Sequence, residues 1–329
     1  MTTSSLVLPP EQLHQAMQRS RQRSTGRWQL FVSTPGRIAA SVIIVLFTLM
    51  AIVGPYLYPK NLPIDNRDIY AGPSLAHPLG TDFKGTDVLA LLVTGSRYVL
   101  FAAAVAAVIT LGIGTVAGLA GGYYPRLAGS AIMRVADFVI AIPGLPVLIV
   151  LLTIWQFGSP LAMGFVMGIF GWGGIARAVR AQTLSLRERG FVEAARGLGL
   201  PGRRIIFTEL LPNLAPYIGM NLMLALPAFI YTEVGLFFLG VVPYTASNWG
   251  VMLNNAVFQA GALTSTTALS YLLSPLICIL LITISLVTLA NAVDEFFNPR
   301  LRRAQLVAPS APRRPGSGPL AFLPRGRTR

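Results

Sequence analysis

Charge is what this 329-residue sequence has least of: Asp, Glu, Lys and Arg together make up only 12% of it, where soluble domains carry about 25%. Cysteine is nearly absent as well. Cys278 stands alone, which excludes an internal disulfide and any multi-cysteine metal site, and inside an apolar run it reads as a small core residue. The two histidines, His14 and His77, are far apart, and no His/Glu cluster accompanies either. Lysine is reduced to two residues, Lys60 before Asn61 and Lys84 before Gly85, so the Gly-Lys-Ser/Thr of a phosphate-binding loop is missing. An ordinary cytosolic enzyme is excluded by this composition.

What is present is a basic excess within an apolar chain: 26 Lys+Arg against 12 Asp+Glu, a net charge of +14, and 53% hydrophobic residues. A nucleic-acid binder needs its basic residues spread over a folded surface, and a membrane protein needs long runs free of charge. The runs decide for the membrane and against nucleic acid. No Asp, Glu, Lys or Arg occurs over Ile38–Pro59, Tyr98–Pro125, Phe138–Ala176, Leu210–Thr232 or Val234–Val293, and roughly 20 apolar residues suffice for a helix to cross a bilayer.

These runs predict six spans, at about 38–58, 99–121, 136–155, 161–179, 216–239 and 269–293. A Gln156-Phe157-Gly158-Ser159-Pro160 turn divides the third from the fourth. Residues 1–37 form a basic leader, 38–299 the six-span domain, and 300–329 an Arg/Pro/Gly-rich tail expected to be disordered. The first apolar run starts too late and is too long for a cleavable signal peptide. Segments on one predicted side hold 22 of the 26 basic residues, so the positive-inside rule places both termini in the cytoplasm. The charge-free stretch 241–268 becomes an exterior loop.

Within the spans, Gly114, Gly118 and Gly122, and Gly164 and Gly168, repeat at the four-residue spacing that lets helices approach closely in lipid. Arg134 and Asp137, three apart, are read as an intrahelical pair in preference to a substrate contact. Glu233 is an ionisable residue inside a span, and so a functional candidate; facing a path and capping a loop near the outer interface both fit it. Trp172 and Trp249 are read as interfacial belt residues, and Arg177 and Arg180 as topology anchors.

The segment between spans four and five, about 186–212, is amphipathic. Phe191, Ala194, Ala195 and Leu198 recur at i, i+3, i+4 and i+7 and predict one apolar stripe on a short helix. Gly197 and Gly199 end it, Pro201 and Gly202 turn the chain, and a second short helix carries Ile205, Ile206 and Leu210 and stops at Pro212. The stripe suits docking into a groove on a cytoplasmic partner or lying on anionic lipid.

The same segment resembles the EAA loop of ABC-importer permeases: Glu193, Ala194 and Ala195, then Arg196, Gly199, Leu211 and Pro212, with Glu209 where that family has Ile. The resemblance extends over roughly residues 36–301 and is to the C-type subunit of the oligopeptide, dipeptide and nickel branch. Its carriers include His77 to Asp82 with Arg97, Met133-Arg134 with Asp137 and Pro143, Trp172 to Arg180, Glu233, Trp249-Gly250, and Asn298 to Leu301. Thr86, Gly129 and Phe237 depart from the usual Arg, Asp and Ser.

The resemblance implies an all-α integral membrane fold, the six-helix type I importer permease with a coupling-helix loop, in a bacterial plasma (inner) membrane. It further implies a transport component rather than an enzyme. Its partners would be a second, B-type permease subunit, two ATPase subunits or domains that carry ATP and Mg, and an extracytoplasmic substrate-binding protein. This chain itself would hold no cofactor. Glu193, Ala194, Ala195, Arg196, Gly199, Leu211 and Pro212 would couple to the ATPases, and Glu233, Asp137 and Arg134 are candidates for the path or gate. Di- or oligopeptides are the expected cargo, with nickel complexes or another small solute as the alternative. A secondary transporter, with Pro143/Pro146 and Pro227 as faint helix breaks, would leave the coupling segment unexplained.

Overall fold

The computed structural model describes residues 34–58, 62–65, 67–124, 127–155, 159–242, 248–263 and 268–297. Most of the basic leader and the whole of 301–329 lie outside the described residues, as does the expectation of a disordered tail.

Helix α1, Pro35–Leu57, opens on a proline, where a missing N–H costs nothing. Helix α2 runs 36 residues, Val88–Tyr123. Asp87 caps it, accepting from the Leu89 N–H at 3.2 Å. At 1.5 Å per residue it is about 54 Å long, well beyond the roughly 30 Å hydrocarbon core, so it projects from the bilayer. Its early start also shortens the expected 59–97 loop. That loop turns on Asp82, whose carboxylate accepts from the N–H groups of Lys84 and Thr86 at 2.8 Å each.

The third predicted span is not one straight helix. It is α3, Leu127–Ala141, and α4, Gly144–Trp155, bent by 78° at the break. Pro143 is the physical cause: its ring disfavours helical backbone at Ile142, and it cannot donate into the helix behind it. Its carbonyl instead accepts the Val147 N–H at 3.3 Å and starts α4. Neither half reaches the length of a span alone, so the described residues hold five spanning helices, or six with the bent pair as one.

Helix α5, Pro160–Arg187, is capped by Ser159, which accepts from the Ala162 N–H. It packs parallel to α2 along a seam of small residues. A Cβ on Gly114 would meet Ile175 Cβ at 2.7 Å, one on Gly118 would meet Val179 Cβ at 2.6 Å, and one on Gly122 would meet Thr183 Cβ at 2.6 Å. Further along the pair the small residues change sides, and a Cβ on Gly168 would meet Ile109 Cβ at 2.8 Å. The four-residue glycine spacing therefore marks the most extensive helix contact among the described residues, driven by van der Waals packing where no hydrophobic effect separates helix from lipid. Thr110 Oγ1 donates across it to the Gly168 carbonyl at 2.9 Å.

After α5 come two short helices, α6 (Gly190–Gly197) and α7 (Gly202–Ile205), and a π turn over Ile206–Leu210. Helix α8, Leu211–Phe238, continues without a break, so Gly202 to Phe238 forms one 37-residue rod. The predicted stop at Pro212 is therefore corrected. The wide turn closes with Leu211 N–H on the Ile206 carbonyl, and Pro212 enters in the first turn of α8, where its missing N–H is tolerated.

The stretch 241–268 is more than an exterior polar loop. It holds α9, Trp249–Asn254, and a π turn over Asn255–Gln259, with Met252, Leu253 and Ala256 buried in the main core beside Phe47, Val88 and Ile230. Helix α10, Leu269–Phe297, returns across the bundle. An Arg37–Glu295 ion pair joins its last turns to the first turn of α1, so these two ends lie together.

Candidate functional site: a two-faced helix between α5 and α8

Helix α6 has eight residues and a sharply divided surface. Val192 is fully buried and Ala195 nearly so. They pack with Leu119 of α2, Val179 of α5, Ile205 of α7, Leu210 of the π turn and Leu214 of α8. Three separate segments, α2, α5 and the rod from Gly202 to Phe238, thus converge on one side of α6. On its other side Phe191, Glu193, Ala194 and Gly197 are exposed, and Leu198, just past its end, is 80% exposed. The stripe read from sequence is therefore corrected at one position: Ala195 turns inward, while Phe191, Ala194 and Leu198 remain as the outward apolar face.

The end of α6 explains Gly199. Leu200 N–H bonds back to the Ala195 carbonyl at 3.2 Å and Gly199 N–H to the Arg196 carbonyl at 2.9 Å, the paired bonds of a Schellman cap. Gly199 occupies its left-handed position with φ +73°. A Cβ there would meet nothing within 4 Å, so the demand for glycine is conformational and not steric. Leu200 and Ala195 share the hydrophobic cluster under the cap, and Pro201 follows to stop the helix.

Arg196 turns back to its own chain. Its guanidinium lies 5.4 Å from the Tyr123 ring at the end of α2, and Tyr123 meets Tyr124 edge-on at 4.8 Å. Both tyrosines back onto Gly202, where a Cβ would meet Tyr124 Oη at 2.7 Å. Leu211 is half-buried and Pro212 exposed. Glu209 sits in the π turn; its carbonyl accepts from Asn213 Nδ2 at 2.6 Å, and its side chain takes a 3.3 Å bond from Thr208 Oγ1. Beside it Phe207 is 65% exposed.

The candidate path residues are dispersed. Asp137 does not pair with Arg134. It is held by Arg177 of α5, from Nε at 2.7 Å and a terminal nitrogen at 2.6 Å. Both nitrogens reach the same oxygen, Oδ1; this charge-assisted contact ties α3 to α5 and gives Arg177 a packing role beyond topology. Arg134 is exposed and has no ion pair among the described residues. Asp137, Arg177 and Arg180 line an open pocket of about 460 Å³.

Glu233 is fully buried in α8. One of its oxygens accepts from Asn248 Nδ2 at 2.9 Å, and Asn248 Oδ1 caps α9 at the Gly250 N–H, 2.7 Å. Within this chain Glu233 thus holds the start of α9, one of the two roles that fitted it. Trp249 is not an interfacial belt residue. It is fully buried, donates to the Leu92 carbonyl at 2.9 Å and meets Phe47 edge-on at 6.0 Å. Trp172 is likewise half-buried against Met133, Ala136 and Ala176.

The described residues thus form a bundle of helices long and apolar enough to cross a membrane, with one short two-faced helix on a long connection. The chain belongs to the binding-protein-dependent transport system inner membrane component family, whose model matches residues 113–303. It is 33% identical to the glutathione transport system permease protein GsiD of Pectobacterium atrosepticum over 70% of this chain and 77% of that protein. Over 80% of this chain and 85% of the relative it is 31% identical to the oligopeptide transport system permease protein OppC of Bacillus subtilis. The same identity holds over 84% and 85% for the dipeptide transport system permease protein DppC of that organism. The resemblance to oligopeptide and dipeptide permeases is thereby shown, and with it the type I permease fold of an ABC importer.

Proposed function

We propose that this chain is the C-type permease subunit of an ATP-driven importer of peptides, and that α6 is the element through which ATPase subunits move it. The observation that carries the coupling assignment is the division of α6. Val192 and Ala195 fix it to α2, α5 and α8, while Phe191, Ala194 and Leu198 face away from the chain. A helix anchored on three segments passes a push to the spans, and an exposed apolar face beside Glu193 offers the groove-binding anchors of a short docked helix. ATP and Mg²⁺ sit on the partner ATPases, which close on ATP and turn the path outward. A second, B-type permease completes the path, and an extracytoplasmic binding protein delivers the cargo. Both termini and α6 are cytoplasmic on this reading, supported by the 22 basic residues on that side.

The peptide assignment is supported by the relatives named for glutathione, oligopeptide and dipeptide transport. Uptake of a labelled dipeptide into cells carrying the complete transporter tests it. Uptake that disappears with Glu193→Lys, with the chain still inserted in the membrane, is expected. Wild-type uptake by that variant refutes the coupling role. Absent peptide uptake together with uptake of a nickel complex refutes the peptide assignment alone.

A further inference from the structure

A single arginine is set into an otherwise apolar pocket on the outer surface of the bundle. The pocket measures about 400 Å³ and lies between α1, α2, α8 and α10, within the roughly 300–1,000 Å³ of small-ligand sites. Its walls are aliphatic and aromatic, Ile44, Ile52, Phe101 and Leu226 among them, and Arg97 is the only charged residue in the lining. Ile52, Tyr56 and Phe101 are exposed as well as lining, so the pocket opens sideways. The adjoining face of α1 shows Val45, Leu46 and Leu49 to the surroundings, which for a spanning helix is lipid.

Arg97 has no ion pair or hydrogen-bond partner among the described residues. Its depth follows from the contact of Gly54 with Val93: a Cβ on Gly54 would meet the Val93 carbonyl at 3.3 Å. One helical turn further along α2, Arg97 lies about two turns inside the C-terminal end of α1. A guanidinium at that depth is costly unless it meets an anion or reaches headgroup level.

We infer that this pocket binds a phospholipid from the leaflet at the C-terminal end of α1, its phosphate on Arg97 and an acyl chain along Phe101 and Ile44. Charge complementarity selects this occupant. The lining offers an apolar wall along α1 and α2 and one guanidinium set into it, the match of guanidinium to phosphate. The inference needs only the membrane setting and stands apart from the coupling role of α6.

Native mass spectrometry of the complete transporter, purified from phosphatidylglycerol nanodiscs and progressively delipidated, tests it. The wild type should retain one phospholipid mass per copy of this chain. Arg97→Gln should lower that retention roughly tenfold, as loss of a charge-assisted bond predicts, and Arg97→Lys should keep most of it. Ala104→Phe and Ala51→Phe, which fill the pocket from opposite walls, should abolish retention with Arg97 intact, so a folding failure of one variant leaves the other decisive. Equal retention in all variants overturns the inference. So does retention of a mass matching inorganic phosphate alone, or a crosslink that fixes Arg97 to a carboxylate of the second permease.

Discussion

The two ends of the bundle differ in what they do with their polar side chains. At the end where α8 finishes, polar and aromatic groups are turned inward and bonded within the chain: one oxygen of Glu233 on Asn248, Asn248 on the start of α9, Trp249 on the Leu92 carbonyl, while the other Glu233 oxygen is buried without a hydrogen-bond partner among the described residues. At the end where α5 finishes, large apolar groups are turned outward: Phe191, Leu198 and Phe207 are all exposed. The first end buries these groups, although Leu239, Phe258 and Leu263 are exposed there as well. The second, on the proposed coupling role, is the face that an ATPase subunit would cover. The difference teaches that buried polar bonds here hold a loop against the spans, while the outward apolar residues of α6 are where, on the proposed coupling role, force would enter.

The largest expected effect comes from breaking the first end. Trp249→Ala removes a fully buried indole and its hydrogen bond, and should cost about 3–5 kcal/mol; the measurement is the yield and melting temperature of the purified complex. Recovery of a normal complex would show that the packing of α9 contributes little. At the second end, Leu198→Glu should leave that melting temperature unchanged but weaken retention of the ATPase subunits on copurification by roughly tenfold or more, the scale of an interface anchor. A variant that loses stability and ATPase together would erase the contrast between the ends.

Gly199→Ala should be smaller, about 1–2 kcal/mol, because an alanine must adopt the left-handed cap conformation. Gly199→Asn should be milder, since asparagine tolerates that region. The readout is transport-coupled ATPase activity, and equal activity of all three would mean that the Schellman cap does not position α6. Smallest is Arg196→Gln, which removes the cation from the Tyr123 ring and should cost about 0.5–1 kcal/mol. Its effect should vanish in the background of Tyr123→Leu, a double-mutant test of whether Arg196 acts within the chain or on a partner.

Sequence reasoning reached the features that depend on one stretch of chain. The charge-free runs located the spans because a bilayer core excludes unpaired charge, and the spacing of Gly114, Gly118 and Gly122 marked a helix seam before its partner was known. The EAA resemblance pointed to Gly199, and the structure supplies the physical reason. Features that depend on two distant stretches were not legible. Asp137 has a nearby arginine at Arg134, yet its partner is Arg177, 40 residues away, brought close by the packing of α3 on α5. Trp249 carries the composition of an interfacial belt residue, and only the folding of α9 onto α8 reveals it as core. Ala195 belongs to the apolar stripe by spacing, but on a helix of eight residues one position separates the docked face from the free one. The bend between α3 and α4 had its cause in plain view at Pro143, inside a run whose length and lack of charge matched an unbroken span.

The central claim is that the outward face of α6 is where ATPase subunits dock. Site-specific crosslinking tests it most directly, in a complete transporter carrying Cys278→Ala and one new cysteine. Leu198→Cys should crosslink to an ATPase subunit, more strongly as the ATPases close on nucleotide, whereas Leu239→Cys, exposed at the opposite end, should give no such product. Crosslinking of the ATPase from position 239, or none from position 198 in an active transporter, would contradict the account.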